Sequence, residues 1–304
     1  MIVGMKPPFT TILVPVDGST TSDRGISFAL ELAAGGAALI YCSVVDPSMV
    51  CVPAAEGVGL DYGPLLVAMD EDAETFCKEA AARAVAAGIP AQITVRRGQP
   101  VPALEEAAWA YRAEAIVIGS HGRTGLDRIL LGSVAEGLLR AIEIPVIVAH
   151  NDDENRTGPV LVALDDSPAA EAALEEAVTI ARTRGNALAL VHVLDAAYKA
   201  ADEPRADALL QGAAEYARGC GLNVSLSVRT GEPYSAIVAA ADALESCMIV
   251  MGTHGRSMIP QLVLGSVAMG VVEHARVPVA TVRKPGRTHA ERPFTTMPAR
   301  LEKV

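Results

Sequence analysis

The sequence predicts an α/β protein of two repeated domains, each a doubly wound, five-stranded parallel sheet with helices on both faces. Three observations carry this expectation. Short β-branched runs alternate with longer segments rich in Ala, Leu and Glu, as strands alternate with crossover helices. Runs such as AIVIG (115–119) and MIVMG (248–252) are apolar throughout, as strands buried on both faces must be. Four blocks also recur in the same order. TILVPVDGS (11–19) returns as VLVALDDS (160–167), and LIYCSVVD (39–46) as LALVHVLD (188–195). AEAIVIGSHG (113–122) returns as ESCMIVMGTHG (245–255), and IEIPVIVAH (142–150) as ARVPVATVR (275–283).

In chain order, the first copy has strands expected at 11–16, 38–45, 91–97, 115–119 and 144–149. Its helices are expected at 20–34, 69–87, 101–112 and 133–141. The second copy repeats this with strands at 160–164, 187–194, 223–229, 247–252 and 277–282, and helices near 168–184, 203–219, 234–245 and 266–275. The domains are therefore expected at 1–150 and 159–283. The polar, glycine-ended NDDENRTG (151–158) reads as a linker, and the proline-bearing 284–304 as a tail. The first copy alone carries the apolar, Gly/Pro-rich stretch 47–69, read as a lid or, preferably, a packing arm. VIVAH (146–150) and VATVR (279–283) are expected to pair edge to edge, so that the two domains associate within the chain; a homodimer of such chains is a further expectation.

With 304 residues, 51% hydrophobic and 20% charged, the chain supports two sizeable cores. Aromatic residues make up only 4% and the net charge is −11, which argues against a stacking platform for nucleic acid and against anionic membrane as a partner. The five cysteines include no Cys-x-x-Cys pair, and the N-terminus lacks a secretory apolar core. Both point to a cytoplasmic setting.

GSHGRTGLDRILLGS (119–133) and GTHGRSMIPQLVLGS (252–266) share Gly-x-x-Gly, nine residues, then Gly-Ser. Glycine is held where φ must be positive or where something approaches the backbone closely. Gly119 and Gly252 end strands; Gly132-Ser133 and Gly265-Ser266 open helices, whose unpaired N–H groups suit phosphate. Gly122 and Gly255 would let the loop bend towards an anion. Arg123 and Arg256 would neutralise it, and His121 and His254 flank it. Taken singly, each piece is also an ordinary turn or N-cap. Asp17 and Asp165 follow the first strand of each copy, where a carboxylate suits a ribose hydroxyl or an adenine amine; each also suits a helix N-cap.

With these residues the chain resembles a tandem universal stress protein of the ATP-binding branch, over about 10–150 and 158–283. The resemblance implies a Rossmann-like, adenine nucleotide α-hydrolase-like fold and ATP as ligand, with Mg²⁺ as an optional companion and no metal site of the protein's own. It implies nucleoside contacts from Asp17 and Asp165 beside Pro15, Val16, Ala163 and Leu164, and adenine recognition by main-chain groups of Val44 and Val193. It implies a triphosphate cradle of Gly119, Gly122, Gly132, Ser133 and Val134 in one copy, and of Gly252, Gly255, Gly265, Ser266 and Val267 in the other. The copies differ at Asp166, where the first has Gly18, and at Pro260, where the first has Asp127. The sequence carries no Walker lysine, HRD or DFG set, or His-Glu-x-x-His string. A nucleotide-dependent regulator in a stress response, turning ATP over slowly or not at all, is therefore expected. A weak ATPase or self-phosphorylating enzyme with Ser133 or Ser266 as acceptor, and a scaffold with empty pockets, are the alternatives.

Overall fold

A computed structural model describes residues 7–49, 62–120, 131–150, 156–195, 202–254, 264–283 and 302–303. They fall into two compact units, the N-terminal one holding 9–120 and 132–138, and the C-terminal one holding 139–150 and the described residues of 156–283.

The N-terminal unit runs β1 (Thr11–Pro15), α1 (Thr20–Ala33), β2 (Ala38–Val45), a 3₁₀ turn (Pro47–Met49), α2 (Gly63–Ala86), β3 (Ala91–Arg97), α3 (Pro100–Ala110) and β4 (Ala115–Gly119). Its parallel strands lie in the order β3-β2-β1-β4. The reversal after β3 puts the switch point between β1 and β4, the place where doubly wound sheets take ligands at the carboxyl edge. β1, β2 and β4 are almost wholly buried, and Ile12, Leu13, Leu39, Tyr41 and Ile116 form the centre of the core. The helix α2 opens at Gly63, ahead of the expected start at 69, so the end of the extra stretch is helical; its 50–61 portion lies outside the described residues.

The helix α4 (Ser133–Ala141) leads to β5 (Val146–Ala149). The second copy follows with β6 (Val160–Ala163), α5 (Pro168–Arg184), β7 (Leu188–Leu194), α6 (Glu203–Gly219), β8 (Val224–Thr230), α7 (Pro233–Ala243), β9 (Met248–Gly252), α8 (Ser266–His274) and β10 (Val279–Val282). Strand order in the C-terminal unit is β5-β10-β9-β6-β7-β8. Among the described residues β10 with β9, β9 with β6, β6 with β7 and β7 with β8 pair in parallel, whereas β5 and β10 run antiparallel with Val148 opposite Val279 and Val146 opposite Thr281. The expected pairing of VIVAH with VATVR is thus present, inside this unit. It gives the β10 edge a partner, and Thr281 Oγ1 adds a hydrogen bond to the Val146 carbonyl at 3.3 Å. Arg283, at the end of β10, donates from Nη2 to the carbonyls of Leu139 and Arg140 at 2.9 and 2.6 Å, closing the last turn of α4. A two-residue strand, β11 (Glu302–Lys303), pairs antiparallel with β3 in the N-terminal unit.

Helix ends are built alike in the two copies. α2, α5 and α6 each stop at a left-handed glycine, Gly88, Gly185 and Gly221, with φ of 73°, 74° and 88°. α3 and α7 stop the same way at Arg112 and Glu245, with φ of 51° and 48°. The paired bonds Arg112 N–H to Trp109 and Ala113 N–H to Ala108 are matched by Glu245 N–H to Asp242 and Ser246 N–H to Ala241.

Candidate functional site

After β1 and β6 the chain makes the same turn-and-cap. Asp17 Oδ1 accepts from Ser19 N–H at 3.0 Å, and Asp165 Oδ1 from Ser167 N–H at 3.1 Å. Neither aspartate caps a helix. The caps are Ser19 and Ser167, whose hydroxyls accept from Ser22 N–H at 3.1 Å and Ala170 N–H at 3.2 Å. Serine does the capping because it begins the helix two residues on, leaving the aspartates on the preceding turn.

In the second copy the carboxyl ends of β6, β7 and β9 open onto a cavity of about 600 Å³, the size range of sites for small ligands. The cavity draws together Ala163, Leu164, Asp165 and Val193 with Gly252, His254, Gly265, Ser266 and Val267. Gly255 and Arg256 lie outside the described residues. The cavity's other walls were not legible as site residues: His192 and Asp195 from β7 and its end, Asp202, Arg205 and Ala206 from α6 and the residue before it, and Pro233 and Ile237 from α7. Each sits in an ordinary helix start or apolar run, and only the topology brings them to the same edge.

In the first copy, Pro15, Val16, Asp17 and Val44 stand at the ends of β1 and β2, and Gly119 ends β4. Val16 N–H donates to the Cys42 carbonyl at 2.9 Å, as Leu164 N–H does to Val191. Ser133 and Val134 begin α4. His121, Gly122 and Arg123 lie outside the described residues.

The stems of both glycine loops are joined by the same bond. Gly132 N–H donates to the Ser120 carbonyl at 2.8 Å, and Gly265 N–H to the Thr253 carbonyl at 2.9 Å. The next helical bonds, Glu136 N–H to Gly132 and Met269 N–H to Gly265, make the glycines rather than the serines the N-cap residues. Ser133 and Ser266 are first helical residues, which corrects the N-cap reading of their hydroxyls. A glycine cap brings no side chain, and α8 has no side-chain cap bond. The N-terminal turn of α8, Ser266–Ala268, lines the cavity, so helix N–H groups without a partner among the described residues and the positive end of the dipole meet that space.

The strand-ending glycines answer to another need. A β-carbon on Gly119 would overlap the Thr21 carbonyl in α1, and one on Gly252 would lie 2.9 Å from Ala169 in α5. They are glycines because a helix start is packed onto the strand end. Gly265 is close to its own loop stem, with the Thr253 carbonyl oxygen 3.0 Å from a β-carbon position.

Around the cavity, His192 is buried and its Nδ1 lies 2.7 Å from the Leu164 carbonyl, so Nδ1 carries the proton and holds the turn before Asp165. Ser167 Oγ donates to the His254 carbonyl at 3.2 Å, tying the α5 cap to the loop stem. His254 Nδ1 is 2.9 Å from Thr253 Oγ1. Asp166, next to the lining Asp165, pairs with Arg205 of the cavity wall at 2.6 Å. The arrangement offers helix N–H donors at one wall, a carboxylate at the switch point and apolar walls from Ile237 and Val267. These suit a ligand with an anionic tail, hydroxyls and a flat apolar body.

The profile of the Universal stress protein family matches residues 8–150 and 157–283. A universal stress protein of Mycobacterium tuberculosis is 31% identical over 297 residues, covering 90% of this chain and 97% of that protein. One of Mycolicibacterium smegmatis is 29% identical over 292 residues, covering 90% and 96%. Among solved structures, a universal stress protein of Archaeoglobus fulgidus superposes with a TM-score of 0.74 at 27% identity, covering 91% of this chain and 99% of that one. Two profile matches in tandem, relatives of equal length and the duplicated α/β fold lead to one statement: the chain belongs to the universal stress protein family, with two copies of its domain.

Proposed function

We propose that the protein is a nucleotide-dependent regulator that binds ATP in the cavity of the second copy, with the first copy offering a second site of the same plan. The observation that carries this is the N-terminus of α8, capped by a glycine that brings no side chain, lining a cavity of about 600 Å³ at the carboxyl edge of the sheet. Phosphate oxygens accept from the Ser266, Val267 and Ala268 N–H groups, Asp165 meets the ribose, and main-chain groups at Val193 meet the base. In the first copy Asp17, Val44, Gly132, Ser133 and Val134 take the matching roles. ATP acts as a signal, and turnover is far below the roughly 10 s⁻¹ of a typical enzyme. Incubation with labelled ATP, with and without Mg²⁺, measures that.

Ser266→Asp tests the site. Ser266 is exposed at the first position of α8, where a carboxylate stabilises a helix by about 0.3–1 kcal/mol but repels phosphate. ATP affinity at the second site, measured by calorimetry, is expected to fall at least about tenfold while the melting temperature holds or rises, one lost charge-assisted contact accounting for that factor. Unchanged affinity in a folded variant overturns the placement of the phosphates.

A further inference from the structure

The rim of the second cavity holds a charge arrangement that folding does not call for. Among the described residues lining it, Asp165, Asp195 and Asp202 are acidic, and Arg205 is the one arginine or lysine. An anion held by helix N–H groups is bound more tightly where a cation also reaches it, so the position of Arg205 matters.

That position is electrostatically poor for a helix. Arg205 lies in the first turn of α6 (Glu203–Gly219), where the dipole disfavours positive charge. Its one hydrogen bond runs from Nη2 to Asp166 Oδ2 at 2.6 Å, leaving the other guanidinium donors without a partner among the described residues. The side chain is 70% exposed, against 32% for Asp166, and an exposed ion pair of this kind contributes little to stability. A guanidinium with spare donors, at the mouth of an acid-lined cavity and held by one weak pair, is ready to exchange its partner.

The pair is also peculiar to the second copy. Asp166 stands where the first copy has Gly18. Counting back from the matching helix-ending glycines Gly221 and Gly88, Arg205 stands where the first copy has Asp72. Both members of the pair are therefore missing from the first copy, so nothing in the shared fold requires them.

We infer that Arg205 is the ligand-charge selector of the second site, exchanging Asp166 for a phosphate of the bound nucleotide. This rests on the nucleotide reading above and deepens it. Asp166 competes with the ligand for the guanidinium, so the site discriminates by phosphate charge: ATP draws Arg205 away, and adenosine leaves the pair intact.

The test uses the full chain, calorimetry at the second site, and ATP and adenosine as probes. Arg205→Gln is expected to weaken ATP about tenfold, the worth of one charge-assisted contact, and to leave adenosine within about twofold. Asp166→Asn removes the competitor and is expected to tighten ATP about threefold or more, again without moving adenosine. Opposite signs from the two partners of one ion pair are the signature, because a merely structural bridge weakens binding from either side. If wild type binds ATP but Arg205→Gln is unchanged, or both variants weaken it alike, Arg205 is not the selector. If wild type binds neither probe, the nucleotide reading falls and takes this inference with it.

Discussion

Asp17-Gly18-Ser19 and Asp165-Asp166-Ser167 occupy the same turn of the two copies and solve it differently. Gly18 adopts φ of 75°, and a β-carbon there would lie 2.5 Å from the ring of Phe76 in α2. Asp166 keeps a negative φ and faces Arg205 of α6. In the first copy an aromatic ring is packed against the backbone beside Asp17, and only glycine leaves room for it. In the second, no ring is pressed there, so the turn relaxes and a charged rim takes its place. The serine cap, the aspartate turn and the bond between the loop stems are common to both. Duplication kept the parts that hold the carboxyl edge together and varied the residue that borders the site.

The sharpest way to break this comparison is to strike a feature that both copies share at different tightness. Gly119→Ala drives a methyl into the Thr21 carbonyl, a backbone atom fixed in the first turn of α1. Gly252→Ala meets the Ala169 carbonyl carbon and β-carbon at 2.9 Å, a backbone contact that is tight but less deep than the overlap at Gly119. We expect Gly119→Ala to cost about 3 kcal/mol or more and Gly252→Ala about 1–2, the range for overpacking a close contact. Trp109, the only tryptophan, sits in α3 of the N-terminal unit, so its fluorescence in urea reads the first variant, and far-ultraviolet circular dichroism reads the second. Equal costs would mean that the two strand ends carry their helices alike.

These glycines show what a sequence can and cannot disclose. Their recurrence at fixed spacing was legible, and so was a close approach to the backbone, but the approaching group at Gly119 and Gly252 is a helix start of the protein itself. Spacing cannot separate the two, because both need a missing β-carbon at the same place. The alternation of strands and helices and the β5–β10 pairing were legible because buried apolar runs and a repeated block leave few ways to assemble a sheet. Arg205 and His192 were not. One sits in a polar helix start and the other in an apolar strand, and each acquires meaning only from the turn after β6 that it touches. The serines of both Gly-Ser pairs suit caps because serine often is one; the helices begin where expected, and it is the preceding glycine that takes the cap position.

A second, smaller contrast concerns alkali. The N-terminal unit buries two thiols, Cys42 and Cys77, and the Tyr41 ring; the C-terminal unit buries Cys247. Burial pushes the Cys42 thiol far up, and pushes Cys77 and Tyr41 each up to about 12. Because the folded values lie above the unfolded ones, this stability is fully present below the unfolded thiol value of about 8.5 and is lost as pH rises through the folded value. At pH 10 each such thiol favours the unfolded chain by about 2 kcal/mol. Between pH 8 and pH 10 the urea midpoint read by Trp109 is expected to fall further than the transition of the C-terminal unit. A parallel fall of both would leave the buried thiols without a part in it.

The smallest effect should erase the difference between the copies. Arg112 and Glu245 both end a helix in the left-handed region, at φ of 51° and 48°, with the same pair of closing bonds. A residue with a β-carbon costs roughly 1–2 kcal/mol there, and glycine removes that strain while giving back about 0.5–1 kcal/mol through the freedom of the unfolded chain. Arg112→Gly and Glu245→Gly are each expected to stabilise by about 0.5–1 kcal/mol, equally, in urea titrations followed by Trp109 fluorescence and circular dichroism respectively. Glu245 has a close neighbour: a β-carbon on Gly158 would overlap its carbonyl, so the chain enters β6 pressed against that backbone. If Glu245→Gly gains clearly less than Arg112→Gly, that contact is holding the turn in place, and the helix ends are no more equivalent than the site rims.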